Sequence, residues 1–431
     1  MIGPALVAAA MLAGTPAASE PAGLHSALSR LEREGRFSGA VVVRGRHGIQ
    51  FARGYGMADP FAGRRFTTDT PVDSASLAKP VTAAAVLLLA RDRKLDLDSP
   101  VRRYLPEYPH AATTVRHLLS HSAGLDGDEA EQAIVGKTNA QLLAQFRGRE
   151  PAFAPGSAFA YCLFCYTTLA LLVERVSGQH YLSFARDRLA LPAGVTIRAA
   201  RLAEWSGRAI GYRLAAGGTA QRFDSWEGEH FYGSGNLSIS AAQLAQWGAR
   251  WWSPDLASVR EAATSPALIA GNPSGLTLGN WYCAPDRRRC HYLGHHEGFH
   301  HMLYWDRQRQ ISVAVVTNNG LSPGLQQRLQ RALVAFAEKR ATDARKELAR
   351  PLADLPVRPS RYALAGGGER VTVHGDAGIV YVTRRGIDYR AVRIGAGIRY
   401  VPGLDVYLAG TRSGALRWLS LYEDRVGRPL D

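Results

Sequence analysis

An almost unbroken apolar run is the feature that most constrains the fold of this chain. Residues 80–90 read PVTAAAVLLLA, which is too long and too rich in alanine for a typical strand. The run is also too short to cross a membrane, which needs about 20 apolar residues. It therefore predicts a helix buried inside a large core. A hydrophobic content of 46% over 431 residues is sufficient to build such a core.

Strand patterns at both ends of the first 340 residues predict a single sheet built from N-terminal and C-terminal hairpins. Alternating or apolar runs typical of strands occupy residues 39–54, 276–283, 290–294 and 301–317. Helical patterns occupy residues 166–176 and 324–348. The predicted fold class is α/β (α+β), with a mostly antiparallel sheet flanked by helices.

The remaining segments differ in composition from this body. We interpret residues 1–19 as a signal peptide, because an apolar stretch leads into small residues there, although no Lys or Arg precedes it. The main domain is expected at residues 22–345, followed by a Pro-rich linker at 346–361. Short alternating runs predict a small all-β domain at residues 362–431.

The net charge of +15 is spread over the chain rather than gathered in a stripe with aromatic residues. This distribution predicts a solvated basic surface and no nucleic-acid partner. Outside the N-terminus, no apolar stretch is long enough to span a membrane, so no stable membrane insertion is expected.

Four cysteines suit an exported protein that can form disulfides. Cys283 and Cys290 flank a turn-like APDRRR stretch, and we expect them to bridge across a hairpin. Cys162 and Cys165 form a C-x-x-C, which is compatible with a second bridge, a redox pair or half of a zinc site. No thioredoxin-like βαβ pattern surrounds them, and this argues against the redox role.

Ser76 and Lys79 lie three residues apart at the start of the predicted buried helix. Residues at this spacing share a helix face. Burial disfavours the ammonium form of a lysine, and a neutral amine can take the proton that a free serine hydroxyl does not readily lose. The pair is thus a candidate nucleophile and base. The alternative is a serine that caps the helix, followed by a surface lysine.

The surroundings of this S-x-x-K resemble the serine β-lactamase and penicillin-binding-protein-like family. The segments KLDLDSPV, RHLLSHSAGL, PGSAFAYCLFCY and YGSGNLSISAAQLAQW follow in the order typical of that family, over roughly residues 25–340. More narrowly, the chain is similar to the branch with class C β-lactamases, D-aminopeptidases and esterases. The resemblance implies a serine hydrolase that needs no cofactor and no metal.

The second element of that family is Y-x-N, in which the tyrosine moves protons. The resemblance assigns this role to Tyr161, while Leu163 replaces the asparagine. Leucine cannot form the hydrogen bonds that an amide makes to the lysine and the substrate. This departure favours a relaxed esterase or a catalytically weak member over turnover of amides and β-lactams.

The third element is K-T-G in β-lactamases and often H-x-G in esterase-like members. The resemblance places it at His296-Glu297-Gly298, with His296 facing the site and Gly298 allowing close backbone approach. The N–H groups of Phe299 and Ser76 would then form the oxyanion hole. His295 is an alternative to His296, since a shift by one residue exchanges the two faces of a strand.

The same stretch also spells H-E-x-x-H, the motif of zinc peptidases, through His296, Glu297 and His300. That motif binds zinc when a helix places both histidines on one face. Here the flanking residues alternate as in a strand, and Gly298 interrupts the motif. If the whole stretch were one strand, His296 and His300 would share a face but lie about 13 Å apart, too far to chelate one ion. A zinc peptidase is therefore the disfavoured alternative.

These observations predict a serine hydrolase that forms an acyl-enzyme on Ser76, with Lys79 and Tyr161 moving the protons. The expected partners are small ester, peptide or peptidoglycan-like substrates, and the expected location is the periplasm or the exterior. A penicillin-binding-like binding or sensing module without turnover remains open because of Leu163, and so does the oligomeric state.

Overall fold

The computed structural model describes residues 23–125, 136–190, 194–195, 205–215, 218–224, 231–340, 343–349, 356–366, 368–376, 379–394 and 397–430. The segment interpreted as a signal peptide lies outside these residues. Within the described part of the chain, no helix combines the length and the apolar character needed to cross a membrane.

Helices and strands alternate through the main body, and strands alone make up the C-terminal part. The helices are α1 (Leu24–Arg33), α2 (Ala78–Arg91), α3 (Val115–Leu119), α4 (Asn139–Ala144), α5 (Leu163–Ser177), α6 (Tyr181–Ala185), α7 (Ala241–Arg250), α8 (Ala257–Ala263), α9 (Pro323–Ala337) and α10 (Ala344–Ala349). The strands of the body are β1 (Gly39–Gly45), β2 (Gly48–Tyr55), β3 (Met57–Asp59), β4 (Arg64–Arg65), β5 (Val72–Asp73), β6 (Tyr212–Leu214), β7 (Ala220–Arg222), β8 (Ser238–Ile239), β9 (Pro266–Ile269), β10 (Asn272–Thr277), β11 (Tyr282–Cys283), β12 (Arg289–His296), β13 (Phe299–Asp306) and β14 (Ile311–Thr317).

The central element is a six-stranded sheet in the order β11-β12-β13-β14-β1-β2, in which every pair is antiparallel. It joins the N-terminal hairpin to the C-terminal strands of the body, as the sequence predicts. Helices cover both faces, so β1 is buried along nearly its whole length. Ala40 and Val42 belong to the core that contains α2 and α5, whereas Val41 and Val43 pack with α1 and α9 on the other face. This division follows from the alternation of side chains along a strand.

The helix α2 confirms the prediction from the apolar run. Twelve of its fourteen residues are buried, because it packs against helices such as α5 and α8 and is surrounded by the core. The single helix predicted over 324–348 is wrong. Here α9 ends at Ala337, the backbone of Lys339 is left-handed with a φ of 55°, and α10 begins only at Ala344.

The predicted C-terminal all-β domain is confirmed, and it is a closed eight-stranded barrel. Its strands are β15 (Ser360–Leu364), β16 (Arg370–Asp376), β17 (Ile379–Arg384), β18 (Ile387–Arg393), β19 (Arg399–Val401), β20 (Val406–Gly410), β21 (Leu416–Leu419) and β22 (Asp424–Pro429). Along β18, Ile387, Tyr389 and Ala391 are buried and alternate with exposed residues, as barrel closure requires. The linker predicted at 346–361 overlaps α10, and its residues 350–355 lie outside the described part.

The barrel packs against the β11–β12 edge of the central sheet. The hydroxyl of Tyr282 on β11 donates a hydrogen bond to the carbonyl of Pro402. The ring of His291 on β12 lies 2.5 Å from a carboxylate oxygen of Asp405, and both side chains are buried. Side chains of the barrel therefore pack against the edge of the sheet that carries part of the candidate site.

Candidate active site

Ser76 lies in a single 3-10 turn, Ala75–Leu77, that leads directly into α2. The residue before it, Ala75, has a φ of 47°, a left-handed conformation that costs a non-glycine residue roughly 1–3 kcal/mol. One oxygen of Asp73 accepts hydrogen bonds from the backbone N–H groups of Ala75 and Asn236, each 3.0 Å long. This buried carboxylate therefore holds the turn that presents the serine.

Lys79 lies one helical turn after Ser76 and is 1% exposed. Its Nζ donates to Ser76 Oγ at 3.0 Å and to the carbonyl oxygen of Ser234 at 3.0 Å. The same Nζ is 5.0 Å from the ring centroid of Tyr161 and 5.9 Å from that of Tyr166. The lysine is therefore buried and hydrogen-bonded, which excludes the alternative of a capping serine followed by an exposed lysine.

Tyr161 reaches Ser76 from the segment before α5. Its hydroxyl donates to Ser76 Oγ at 3.0 Å and lies 2.9 Å from the hydroxyl of Tyr292. Its ring stacks on the imidazole of His121, with centroids 4.7 Å apart and an interplanar angle of 18°. The structure thus brings Ser76, Lys79 and Tyr161 together, although Tyr161 is 85 residues away from Ser76 in the chain.

His121 is held as a neutral ring beneath Tyr161. Its Nδ1 accepts a hydrogen bond from the backbone N–H of Cys162 at 2.9 Å, so the proton resides on Nε2, which lies 2.9 Å from the Asn280 side-chain oxygen. Burial lowers the pKa of His121 to about 3, and the nearby Lys79 charge acts in the same direction. A neutral, doubly hydrogen-bonded imidazole fixes the orientation of the Tyr161 phenol without adding a charge.

A disulfide bridges the segment that corresponds to Y-x-N. Cys162 and Cys165 are bonded, and the Sγ of Cys162 also accepts the backbone N–H of Cys165 at the start of α5. Leu163, in place of the asparagine, is the first residue of α5 and packs against the core. Cys283 and Cys290 form a second disulfide across the β11–β12 hairpin. The sequence left a bridge, a redox pair and half of a zinc site as alternatives for the C-x-x-C, and the structure shows the bridge.

The three residues expected in the third element lie at the turn between β12 and β13. The Nε2 of His296 is 3.3 Å from a carboxylate oxygen of Asp73. Gly298 has a φ of 74°, and a Cβ there would lie 2.9 Å from the Cα of Gly211. The ring of Phe299 packs on His296 at 4.6 Å. His296 therefore contacts Asp73, the residue that holds the Ser76 turn. The expected contact of His296, Gly298 and Phe299 with substrate stays a prediction.

The residues that β12 places beside the Ser76 turn are Tyr292 and Gly294. A Cβ on Gly294 would lie 2.6 Å from the carbonyl oxygen of Ser74, so the strand approaches the turn as closely as its backbone allows. Tyr292 shares the face of Gly294 and reaches Tyr161. Sequence reasoning passed over both residues. The signal was the Tyr-Leu-Gly tripeptide, which has the same spacing as K-T-G.

Two histidines of the β12–β13 hairpin hold Asp73. His301 accepts the Thr317 N–H on Nδ1 and therefore donates from Nε2 to the Asp73 carbonyl oxygen, 2.8 Å away. Burial lowers the pKa of His301 to about 3, so this ring is neutral. Burial alone would raise the pKa of Asp73, but the hydrogen bond and charge of His296 and the Ala75 N–H lower it overall.

The alternative of a zinc peptidase finds no support in this geometry. The H-E-x-x-H stretch is a strand, a two-residue turn and a second strand, in which His295 pairs with His300 and His296 with Phe299. His296 and His300 therefore lie on opposite faces of the sheet, so the expectation that they share a face is wrong. Within the described residues, no group of His, Cys, Asp or Glu side chains is arranged to hold a metal ion.

Relatives of the chain include an esterase and a penicillin-binding protein. Esterase EstB of Burkholderia gladioli is 36% identical over 201 residues, which cover 42% of this chain and 51% of the relative. Penicillin-binding protein 4* of Bacillus subtilis is 28% identical over 180 residues, which cover 40% of each protein. The chain thus spans about half or less of the length of these two relatives.

The fold is similar to that of solved structures. The octameric penicillin-binding protein homologue from Pyrococcus abyssi has a TM-score of 0.65 with 21% identity, over 94% of this chain and 99% of the other. At this identity the likeness shows the fold alone. The profile of the Beta-lactamase family matches residues 24–337, which is more than half of the chain. The chain therefore belongs to the beta-lactamase family.

Proposed function

We propose that this protein is a serine hydrolase that forms an acyl-enzyme on Ser76 and acts on uncharged esters or small amides. The observation that carries the proposal is the position of Ser76 Oγ, which lies 3.0 Å from both Lys79 Nζ and Tyr161 Oη. Both groups are within the distance that direct proton transfer requires. A serine that only capped a helix would need neither of them.

The proposed reaction has two steps. Ser76 Oγ attacks the substrate carbonyl, and its proton passes to whichever of Lys79 Nζ or Tyr161 Oη is deprotonated. That proton then goes to the leaving alcohol or amine as the carbonyl–leaving-group bond breaks. In the second step water attacks the acyl carbonyl and gives a proton to the same groups. The bond from that carbonyl to Ser76 Oγ then breaks, the proton passes to Oγ, and the acid leaves.

The expected substrate class follows from the side chain next to Tyr161. That side chain is Tyr292 on β12, a buried phenol. Its pKa is raised well above the ordinary value, mainly by burial. A neutral phenol offers no positive charge to a substrate carboxylate. The esterase among the relatives agrees with ester substrates, and efficient turnover of carboxylate-bearing β-lactams is not expected.

A panel of p-nitrophenyl esters and D-amino-acid amides, hydrolysed by the wild type and by Ser76→Ala, tests the proposal. Loss of the nucleophile is expected to lower kcat by at least about a thousandfold on every substrate that the wild type turns over. Ser157→Ala is a matched control, because this hydroxyl is exposed and bonds only to the local backbone of Ala154 among the contacts described. Equal rates for wild type and Ser76→Ala would contradict the proposal.

A binding or sensing module without turnover is the second candidate, and Leu163 in place of the asparagine favours it. The panel separates the two candidates when it is combined with binding measurements. A module is expected to bind a carbonyl ligand with equal affinity before and after long incubation and to release it unchanged. A hydrolase converts the ligand.

We also propose that the protein acts outside the cytoplasm, in the periplasm or secreted. Both pairs of cysteines are disulfide-bonded, and disulfides persist mainly in oxidising compartments. Fractionation of cells that express the full chain tests this proposal. Recovery of the oxidised protein in the cytoplasmic fraction alone would contradict it.

A further inference from the structure

Tyr292 is a buried polar residue that takes no part in the proton transfers described above. It is 1% exposed, and its hydroxyl lies 2.9 Å from that of Tyr161. Its ring stacks on Tyr282 of the neighbouring strand, with centroids 5.5 Å apart and an interplanar angle of 20°. A phenol in this setting is fixed in place, and a hydrogen-bond partner for its hydroxyl is required.

The register of β12 fixes the distance between Tyr292 and the nucleophile. Gly294, two residues later on the same face, is in backbone contact with the Ser76 turn, where a Cβ would meet Ser74 O at 2.6 Å and Leu77 N at 3.3 Å. The strand cannot approach further, and a side chain at position 294 would push it away. Tyr292 is therefore held beside Tyr161 by packing of the backbone as well as by its own contacts.

Proton counting sets the direction of the bond between the two phenols. Tyr161 has one hydroxyl proton, which it donates to Ser76 Oγ. In that arrangement the 2.9 Å contact requires Tyr292 to be the donor and Tyr161 the acceptor. Burial raises the pKa of Tyr292 well above the ordinary value, so its proton stays in place at neutral pH.

We propose that Tyr292 is a positioning residue that stabilises the anionic form of Tyr161 while Tyr161 exchanges a proton with Ser76. This inference rests on the proposed function. In the step, the Ser76 O–H bond breaks and the Tyr161 O–H bond forms, and Tyr292 keeps its own proton throughout. The hydrogen bond from Tyr292 is strongest when Tyr161 is a phenolate, because hydrogen bonds to charged groups are stronger than those between neutral groups.

Tyr292→Phe tests the inference, because it removes the hydroxyl and keeps the ring. Without the donor, the phenolate of Tyr161 is less stable, so we expect kcat/KM for an uncharged ester to fall by roughly ten- to a hundredfold. We also expect the ascending limb of the pH profile to move to higher pH. A purely structural role would not move that limb. An unchanged rate and an unchanged profile would overturn the inference.

Tyr282→Phe is the matched control. Its ring belongs to the same stack, but its hydroxyl bonds to the carbonyl of Pro402 rather than to Tyr161. We expect this variant to lose stability while the ascending limb stays where it is in the wild type. An equal displacement of the limb in both variants would assign the effect to general loosening of the stack and overturn the inference.

Two further variants cover the case in which Tyr292→Phe does not fold. Tyr292→His keeps a ring N–H donor, and Tyr292→Leu has none, so the limb is expected to be displaced in the leucine variant and less so in the histidine variant. Identical profiles would overturn the inference. Failure of the proposed function is distinguishable, since the wild type would then show no hydrolysis that depends on Ser76, whatever residue stands at position 292.

Discussion

At the scale of single residues, the candidate site depends on two donors that converge on one hydroxyl. Ser76 Oγ accepts hydrogen bonds from Lys79, in the first turn of α2, and from Tyr161, in a separate segment. The first contact follows from helix geometry and is local. The second requires the whole body to fold, since the support of Tyr161 includes the stacked ring of His121.

Replacing Lys79 by methionine is expected to abolish most of the activity. The substitution keeps the length and the buried apolar stem but removes the amine that lies 3.0 Å from Ser76 Oγ. Loss of a general base typically costs roughly a hundred- to ten-thousandfold in rate, and single-turnover acylation by an activated ester measures it. Lys346→Met is the control, because that side chain is 87% exposed. A Lys79→Met enzyme with wild-type acylation would refute the role of the amine.

Buried neutral histidines predict a loss of stability in acid. The pKa values of His121, His300 and His301 are lowered to about 3, in each case mainly by burial. Their folded-state pKa lies below the value of about 6.5 in the unfolded chain, so the unfolded chain binds more protons between these limits. The contribution of each neutral ring to the free energy of unfolding is fully present above a pH of about 6.5. It is lost as the pH falls from there, by about 1.4 kcal/mol per pH unit for each ring.

Urea unfolding at a series of pH values between 7 and 4 checks this prediction. The variant His301→Gln keeps a donor and an acceptor but does not titrate, so its stability is expected to decline less steeply with falling pH than that of the wild type. Parallel curves for the two proteins would show that His301 is not a buried neutral ring.

At the scale of elements, the segment before α5 is fastened by the Cys162–Cys165 bridge and the cap that Cys162 provides. Replacing both cysteines by alanine is expected to lower acylation, because Tyr161 directly precedes the bridge. The matched control is the double alanine variant of Cys283 and Cys290, whose bridge closes a hairpin. It is expected to lose stability but to acylate at nearly the wild-type rate. Equal acylation losses in both variants would contradict the local effect.

The approach of β12 to the Ser76 turn makes Gly294 sensitive to substitution. A Cβ would lie 2.6 Å from a backbone carbonyl, so Gly294→Ala must displace the strand or the turn. We expect a loss of roughly 1–3 kcal/mol in the free energy of unfolding and a larger proportional loss of activity. Gly375→Ala in β16 is the control, since its Cβ would be in ordinary contact at 3.5 Å. Chemical denaturation measures both variants, and equal stabilities would be contrary to the prediction.

The same elements show which parts of the site the sequence could predict. The buried helix and the S-x-x-K turn are encoded locally, in one apolar run and one spacing, and Tyr161 was identified from its place in a longer motif. The third element depends on which residues of β12 face the turn. A shift of four residues along a strand preserves the face, so His296 and Tyr292 satisfy the same alternation. The contacts of Gly294 with Ser74 and Leu77 fix the register, and these contacts are tertiary.

The break between α9 and α10 was missed for a related reason. The charged, helix-favouring residues of 324–348 predict one continuous helix from propensity alone. In the structure, the left-handed backbone at Lys339 ends α9, and the chain returns so that α10 packs on α9 and α1. Such a return is dictated by the core and not by the local sequence.

At the scale of the whole molecule, the barrel and the body share buried polar contacts. His291 of the sheet and Asp405 of the barrel are 1% and 2% exposed at their side chains and lie 2.5 Å apart. Tyr422 and Tyr400 add hydrogen bonds to the same two groups. Because removing one partner leaves the other buried without its counterpart, such contacts bind the two parts into one cooperative unit.

Asp405→Ala is therefore expected to destabilise the protein by roughly 3–5 kcal/mol and to separate the unfolding of the barrel from that of the body. Differential scanning calorimetry would then record two transitions where the wild type has one. Asp424→Ala removes the half-exposed partner of Arg417 within the barrel and is expected to cost about 1 kcal/mol or less. A single, unshifted transition for Asp405→Ala would contradict the coupling.

The proposed function requires that folding make one hydroxyl, that of Ser76, nucleophilic. The most direct measurement is to incubate the oxidised full chain with a fluorophosphonate and to locate the adduct by peptide mass spectrometry. We expect stoichiometric modification of Ser76, greatly slowed in Lys79→Met and Tyr161→Phe. A folded wild type that remains unmodified, or that carries its adduct on a different residue, would contradict the proposed function.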